Sequence, residues 1–185
     1  MIKKQIEISL NKAIEEKARR EKYIYYIKYV SSIFLPAFIV FISLNFFIGI
    51  ASVKGSSMEK ELHNNDIVIF NRLNKDIKRF DIIVANKDDE NIDIIKRVIG
   101  LPNEKVNIVD GNVYINDILL DESLYTINGT TETQDVIFPI ILKDDEYLCL
   151  GDNRAKSLDS RNSQTGLINK DDIFGIVFIV LRNLH

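Results

Sequence analysis

Residues 105–120 read "KVNIVDGNVYINDILL", and this stretch decides the fold. Val106, Ile108 and Val109 lead into Asp110-Gly111, after which Val113 and Ile115 resume the β-branched pattern. An Asp-Gly pair between two such runs is a strong hairpin signal, because both turn positions need positive φ. Asn116-Asp117 then supplies a second turn pair before "ILL". Similar short runs lie on either side. "DIVIF" (66–70), "DIIVA" (81–85) and "IDIIKRVIG" (92–100) come before it, and "EYLCL" (146–150) and "FGIVFIVL" (174–181) after it. Asn, Asp, Gly and Lys clusters separate them, as expected of strands joined by turns. No segment beyond residue 53 sustains a helical period. The reading is a mostly β domain over residues 54–185, an antiparallel, barrel-like sheet arrangement. Residues 121–145 are the least regular and read as a long surface loop.

The chain has 185 residues, 46% of them hydrophobic, enough for one compact domain and an appendage. Its formal net charge of −3 is unevenly spread. Residues 1–28 carry eight Lys or Arg against four Glu, so everything after them is net acidic. An acidic domain argues against nucleic acid as a partner, since phosphate binding needs a basic face. The single cysteine, Cys149, can form no internal disulfide and offers no zinc-ligand spacing; in "EYLCL" it reads as a buried strand residue. No glycine-rich phosphate loop is present, and acidic clusters such as "KDDEN" read as solvated turns. No metal or organic cofactor is expected.

Between Lys28 and Lys54 there is no charged residue at all. A membrane-crossing helix needs roughly 20 mostly apolar residues, and residues 29–53 meet that length, with Tyr29 at one end as an interfacial aromatic. Pro36 is tolerated in such a helix. The run is too long and starts too late for a cleaved signal peptide, whose apolar core is about 7–15 residues. It also lacks the polar face of a soluble helix. The basic excess before it places residues 1–28 in the cytoplasm and residues 54–185 outside, in a single-pass protein of the cell membrane. Ile2, Ile6, Leu10, Ile14 and Ala18 recur every four residues, a narrow apolar stripe on a helix ahead of the span.

"VKGSSMEKEL" (53–62) places two serines just after the span. A histidine base is poorly provided for: His63 lies six residues from Ser57, and His185 is the last residue given. A serine can instead be activated by a neutral lysine, which requires that lysine to be desolvated. Most lysines sit in polar turns, whereas Lys96 lies among Ile94, Ile95, Val98 and Ile99. Strand alternation turns it away from Ile95 and Arg97.

These residues carry a resemblance to the bacterial type I signal peptidases, membrane-bound serine proteases with a Ser/Lys dyad. "GSSMEKELHNNDIV" resembles the family's serine box, "IIKRVIGLPNEKV" its lysine box, "DGNVYIND" the hairpin that follows, and "GDNRAKSLDSR" (151–161) its last box. The resemblance implies Ser57 as nucleophile and Lys96 as general base, with Ser157 hydrogen-bonding the lysine amine. Asp159 is expected to pair with Arg161 and with Arg97. Val53, Met58, Leu62, Val68 and Ile95 match pocket-lining positions. The implied substrates are secretory precursors, cut after small-x-small (Ala-x-Ala-like) sites beside the lipid bilayer. Ser56 is expected to face away from the site on an extended strand.

Two positions depart from the family's pattern. Lys60-Glu61 stands where Pro-Thr is usual, and Asn103 replaces a glycine of the lysine box. A weakened or dedicated homologue, acting in the assembly of particular surface or pilus proteins, is therefore the alternative reading. A self-cleaving repressor would need a DNA-reading domain where the span lies.

Overall fold

The computed structural model describes residues 2–87, 92–127 and 130–183. His185 and most of the "KDDEN" cluster lie outside the described residues. The chain divides into two compact units, residues 1–45 and 46–185.

The first unit is one helix, α1, which runs over Ile2–Phe47 into the start of the second. Among the described residues it is the one helix long and apolar enough to cross a membrane, with a mean hydropathy of 2.1 over its most apolar window. Polar side chains in the apolar half bond back to the helix's own carbonyls. Ser31 donates to Lys28 O, Ser32 to Tyr29 O and Asn45 to Phe41 O, at 2.7–3.0 Å. That arrangement suits surroundings with no other acceptor. Ile2, Ile6 and Ile14 of the N-terminal stripe are exposed.

The helix ends six residues before the limit drawn from hydropathy. Ile48–Ser52 is a strand, β1, paired from Ile48↔Asn71 to Ser52↔Ile67. Isoleucine and small residues suit an apolar helix and a strand equally, so hydropathy alone ran the span through to residue 53.

The second unit is β-rich and antiparallel throughout. β2 (Ile67–Asn71), β3 (Ile82–Lys87), β4 (Ile92–Gly100), β9 (Glu146–Leu150), β10 (Ile168–Asn169) and β11 (Ile173–Leu181) join β1 in a seven-stranded sheet, ordered β1-β2-β11-β3-β4-β9-β10. A second sheet, ordered β7-β6-β5-β8, contains β5 (Lys105–Val109), β6 (Asn112–Ile115), β7 (Ile118–Leu119) and β8 (Ile140–Ile141). Both turn pairs read from the sequence form two-residue hairpin loops with positive φ: Asp110 (49°) with Gly111 (75°), and Asn116 (52°) with Asp117 (67°).

Three apolar clusters fill this unit. Val98, Cys149 and Ile168 belong to one, and Ile99, Val106 and Leu148 to another. The third packs Val53, Met58, Leu62, Val68, Phe70 and Val84 together. Because Met58 adjoins Ser57, this third cluster fixes the serine turn from below. The segment 121–145 is mostly without regular structure, but it is not merely a surface loop: Thr131 is buried within it and Ile140–Ile141 form β8.

Candidate active site

Ser57 lies in a turn, not on an extended strand. Gly55 (φ +80°) opens the turn, with its N–H donating to Asn64 Oδ1 at 2.8 Å, and Leu62 N–H closes it on Met58 O at 2.8 Å. Ser56 shares that turn, its carbonyl accepting Glu59 N–H at 3.3 Å, where an extended strand had been expected. Lys60 takes φ +86° within the same turn.

Lys96 projects from β4 into this turn, and its Nζ donates to Ser57 Oγ at 2.8 Å. The side chain is only 6% exposed. Burial pushes its pKa below the ordinary lysine value, and the Asp159 carboxylate opposes that shift. A buried amine whose pKa is lowered in this way is able to shed its proton and accept another from a neighbouring hydroxyl. His63 instead sits on the surface beside Asp66, at 3.9 Å.

The segment 151–161 wraps around the pair. Asn153 N–H donates to the Ser57 carbonyl at 3.0 Å. A Cβ on Gly151 would lie 2.5 Å from that carbonyl oxygen and 2.6 Å from Ser157 Cβ, so only glycine admits this approach. Asp159 takes a two-pronged ion pair from Arg161, 2.8 Å on each arm, and also accepts Gly151 N–H at 3.1 Å.

Two expectations are corrected here. Arg97 does not pair with Asp159; it clamps Asp152 at 2.8 and 2.6 Å and lies over the Tyr125 ring, 4.2 Å from its centroid. Consecutive strand residues face opposite ways, so Arg97 cannot follow Lys96 towards Asp159. Ser157 does not bond the lysine amine either. Its buried Oγ has no hydrogen-bond partner among the described residues, while Gln134 Nε2 donates to its carbonyl at 2.9 Å.

Sequence reasoning missed Asp152, and it missed Arg154, which forks onto Glu122 and bonds Thr131 Oγ1. The "GDNR" run held both residues in plain view. Glu122 carried no such signal, since its segment read as loop.

A cleft of about 630 Å³ opens over Ser57 and Lys96. Val53, Met58 and Ile95 line it. Leu62 and Val68 do not; they are fully buried in the cluster behind its wall. Among the described residues, no group of three or more His, Cys, Asp or Glu side chains is placed to hold a metal ion.

Known proteins resemble this chain along most of its length. The signal peptidase family, peptidase S26, matches residues 26–182. The chain belongs to that family. Signal peptidase I P of Bacillus subtilis subsp. natto is 32% identical over 83% of this chain and 88% of its own. Signal peptidase I S of Bacillus subtilis strain 168 is 33% identical over 80% and 85%. A signal peptidase I of Bacillus amyloliquefaciens is 33% identical over 86% and 90%. The solved structure of a signal peptidase I from Enterococcus faecalis V583 aligns over 55% of this chain and 97% of that one, at 30% identity and a TM-score of 0.43. As a family member with relatives of this kind, the chain is a serine peptidase of the signal peptidase I type.

Proposed function

We propose that this signal peptidase is a membrane-anchored endopeptidase working through a Ser57/Lys96 dyad, releasing signal peptides from secretory precursors after small-x-small sites. The observation that carries the reading is the 2.8 Å contact between Ser57 Oγ and a buried Lys96 amine at the base of an open cleft.

In the acylation step, Ser57 Oγ attacks the scissile carbonyl carbon as its proton passes to Lys96 Nζ. The C–N bond then breaks, and the Lys96 ammonium returns the proton to the departing amine. Water next attacks the ester carbon and gives a proton to Lys96, which hands it back to Ser57 Oγ. The Ser57 backbone N–H, which has no acceptor among the described residues, is the donor for the oxyanion. Such a donor is worth about 3–4 kcal/mol in the transition state. Asp159, Arg161 and Arg97 hold the surrounding segments.

Two backbone edges border the cleft. β1 is the outermost strand of its sheet, and β4 pairs with β9 only from Arg97 onward. An extended peptide between them has main-chain partners on both sides. Its inward side chains meet Val53, Met58 and Ile95, walls that suit small residues.

The apolar part of α1 serves as the anchor, with the basic segment 1–28 in the cytoplasm and the β unit outside. The exposed tyrosines 23, 25, 26 and 29 gather where the charged segment gives way to the apolar run, as at a membrane interface.

The test is incubation of the detergent-solubilised protein with an Ala-x-Ala precursor. Cleavage at that site by wild type, abolished in Ser57→Ala and in Lys96→Ala, is the expected result. No cleavage by folded wild type overturns it.

A further inference from the structure

The cleft carries charge as well as apolar walls. Asp93 and Ile95 share a face of β4 because strand side chains alternate, and about 7 Å separates them along the strand. Both line the cleft. Asp93 is exposed, and its carboxylate makes no hydrogen bond or ion pair with the described residues. Lys54 lines the cleft from the segment that follows β1, also exposed and also without such a partner. The two borders of the cleft therefore bear opposite, unspent charges.

We propose that Asp93 is a specificity residue, taking a basic side chain two residues along the substrate from the one seated against Ile95. This rests on the reading of the cleft as the substrate site and extends its selectivity from size to charge. A peptide in extended form repeats its side chains on one face every second residue, which matches the Ile95–Asp93 spacing. Lys54 on the other border favours an acidic residue, so a peptide carrying both signs is also held in one register. Neither charge is used by the serine–lysine chemistry. Both are left for the ligand.

The experiment is a scan of Ala-x-Ala peptides in which Lys, Ala or Glu is placed at each position flanking the cleaved bond, one position at a time. Cleavage efficiency, kcat/KM, is compared for wild type, Asp93→Asn and Asp93→Lys. At one position wild type is expected to favour Lys over Glu by about tenfold, an attraction and a repulsion each of ordinary exposed-pair strength. The preference disappears in Asp93→Asn and turns towards Glu in Asp93→Lys, a reversal that misfolding cannot produce. A scan with no charge preference, or one that persists in Asp93→Asn, overturns the proposal.

The same peptides, fluorescently labelled, are titrated onto Ser57→Ala with and without the Asp93 changes. If wild type cuts none of them, the peptidase reading fails by itself, and binding decides on Asp93. Charge-dependent binding lost in Asp93→Asn supports the subsite; absent or charge-blind binding refutes it.

Discussion

Lys96 Nζ and Ser57 Oγ lie 2.8 Å apart, on residues 39 positions apart in the chain, with the amine almost fully withdrawn from water. Burial is the main cause of the lowered Lys96 pKa, and it sets the expected pH profile. Only the neutral amine can take the serine proton, so kcat/KM should rise with pH and reach half its plateau below the ordinary lysine value near 10.5. Stability follows the same sign. With the folded pKa below the unfolded one, the unfolded chain binds more protons between the two values, so unfolding free energy rises with pH there. Lys96→Met should lack that rise. Denaturant titrations of both proteins at several pH values check it; parallel curves would contradict it.

Asp159 is the largest influence holding the Lys96 pKa up. Asp159→Asn should therefore move the rising limb of the pH–rate profile to lower pH. The same change leaves Arg161, 1% exposed, without its charge partner. A broken buried pair costs about 3–5 kcal/mol. The expected result is a protein with a markedly lower melting temperature whose remaining activity has an acid-shifted onset. Activity lost in proportion at every pH would mean that Asp159 acts only as scaffold.

Arg97 holds Asp152 with two hydrogen bonds while stacking on Tyr125, which in turn stacks on Phe80 at 4.7 Å. A lysine cannot reproduce that planar fork. Arg97→Lys is expected to lose about 2–4 kcal/mol, close to the cost of breaking the pair outright. Chemical denaturation measures it, and a loss under 1 kcal/mol would show the clamp to be dispensable.

Most strands and both hairpins could be read from the sequence because alternation and turn residues are local signals, whereas β1 was hidden in the apolar run and the two-residue strands β8 and β10 are too short to show a period. Lys96 was only suggested by its place in "DIIKRVIG", since a lysine on the exposed face of a half-buried strand gives the same pattern; the resemblance to a lysine box singled it out. The end of α1 was not legible, since Ile48 and Ile50 read the same in a helix as in a strand. Ion-pair partners were harder still. Arg97 has carboxylates at both Asp152 and Asp159 within one short segment, and only the third dimension decides between them. The Arg154–Glu122 pair joins that segment to one that shows no period at all.

Gly151 sits where the Ser57 carbonyl and the Ser157 side chain converge. The added methyl of Gly151→Ala has to displace one of them by roughly an ångström. A misplacement of that size costs on the order of 100-fold in rate, and overpacking adds about 1–3 kcal/mol of destabilisation. The expected signature is a fall in kcat exceeding any rise in KM. Full activity in Gly151→Ala would mean that the segment yields freely and does not position Ser57.

The resemblance read from the sequence implies proline at the position of Lys60, which suggests that Lys60→Pro should stiffen the serine turn. The backbone predicts the opposite. Lys60 has φ +86°, whereas proline is fixed near −65°, so the ring cannot enter this turn without rebuilding it. Its side chain also reaches Leu124 O at 3.2 Å, a contact that proline removes. Lys60→Gly keeps the conformation at no steric cost and gives up only that exposed bond. Lys60→Pro is expected to lose most of its activity and about 2–3 kcal/mol of stability, with Lys60→Gly within about 1 kcal/mol of wild type and active. Cleavage assays and melting curves on the two variants decide the matter. A fully active Lys60→Pro enzyme would show that the turn adopts a proline-compatible form in solution, and that the lysine was only a surface substitution.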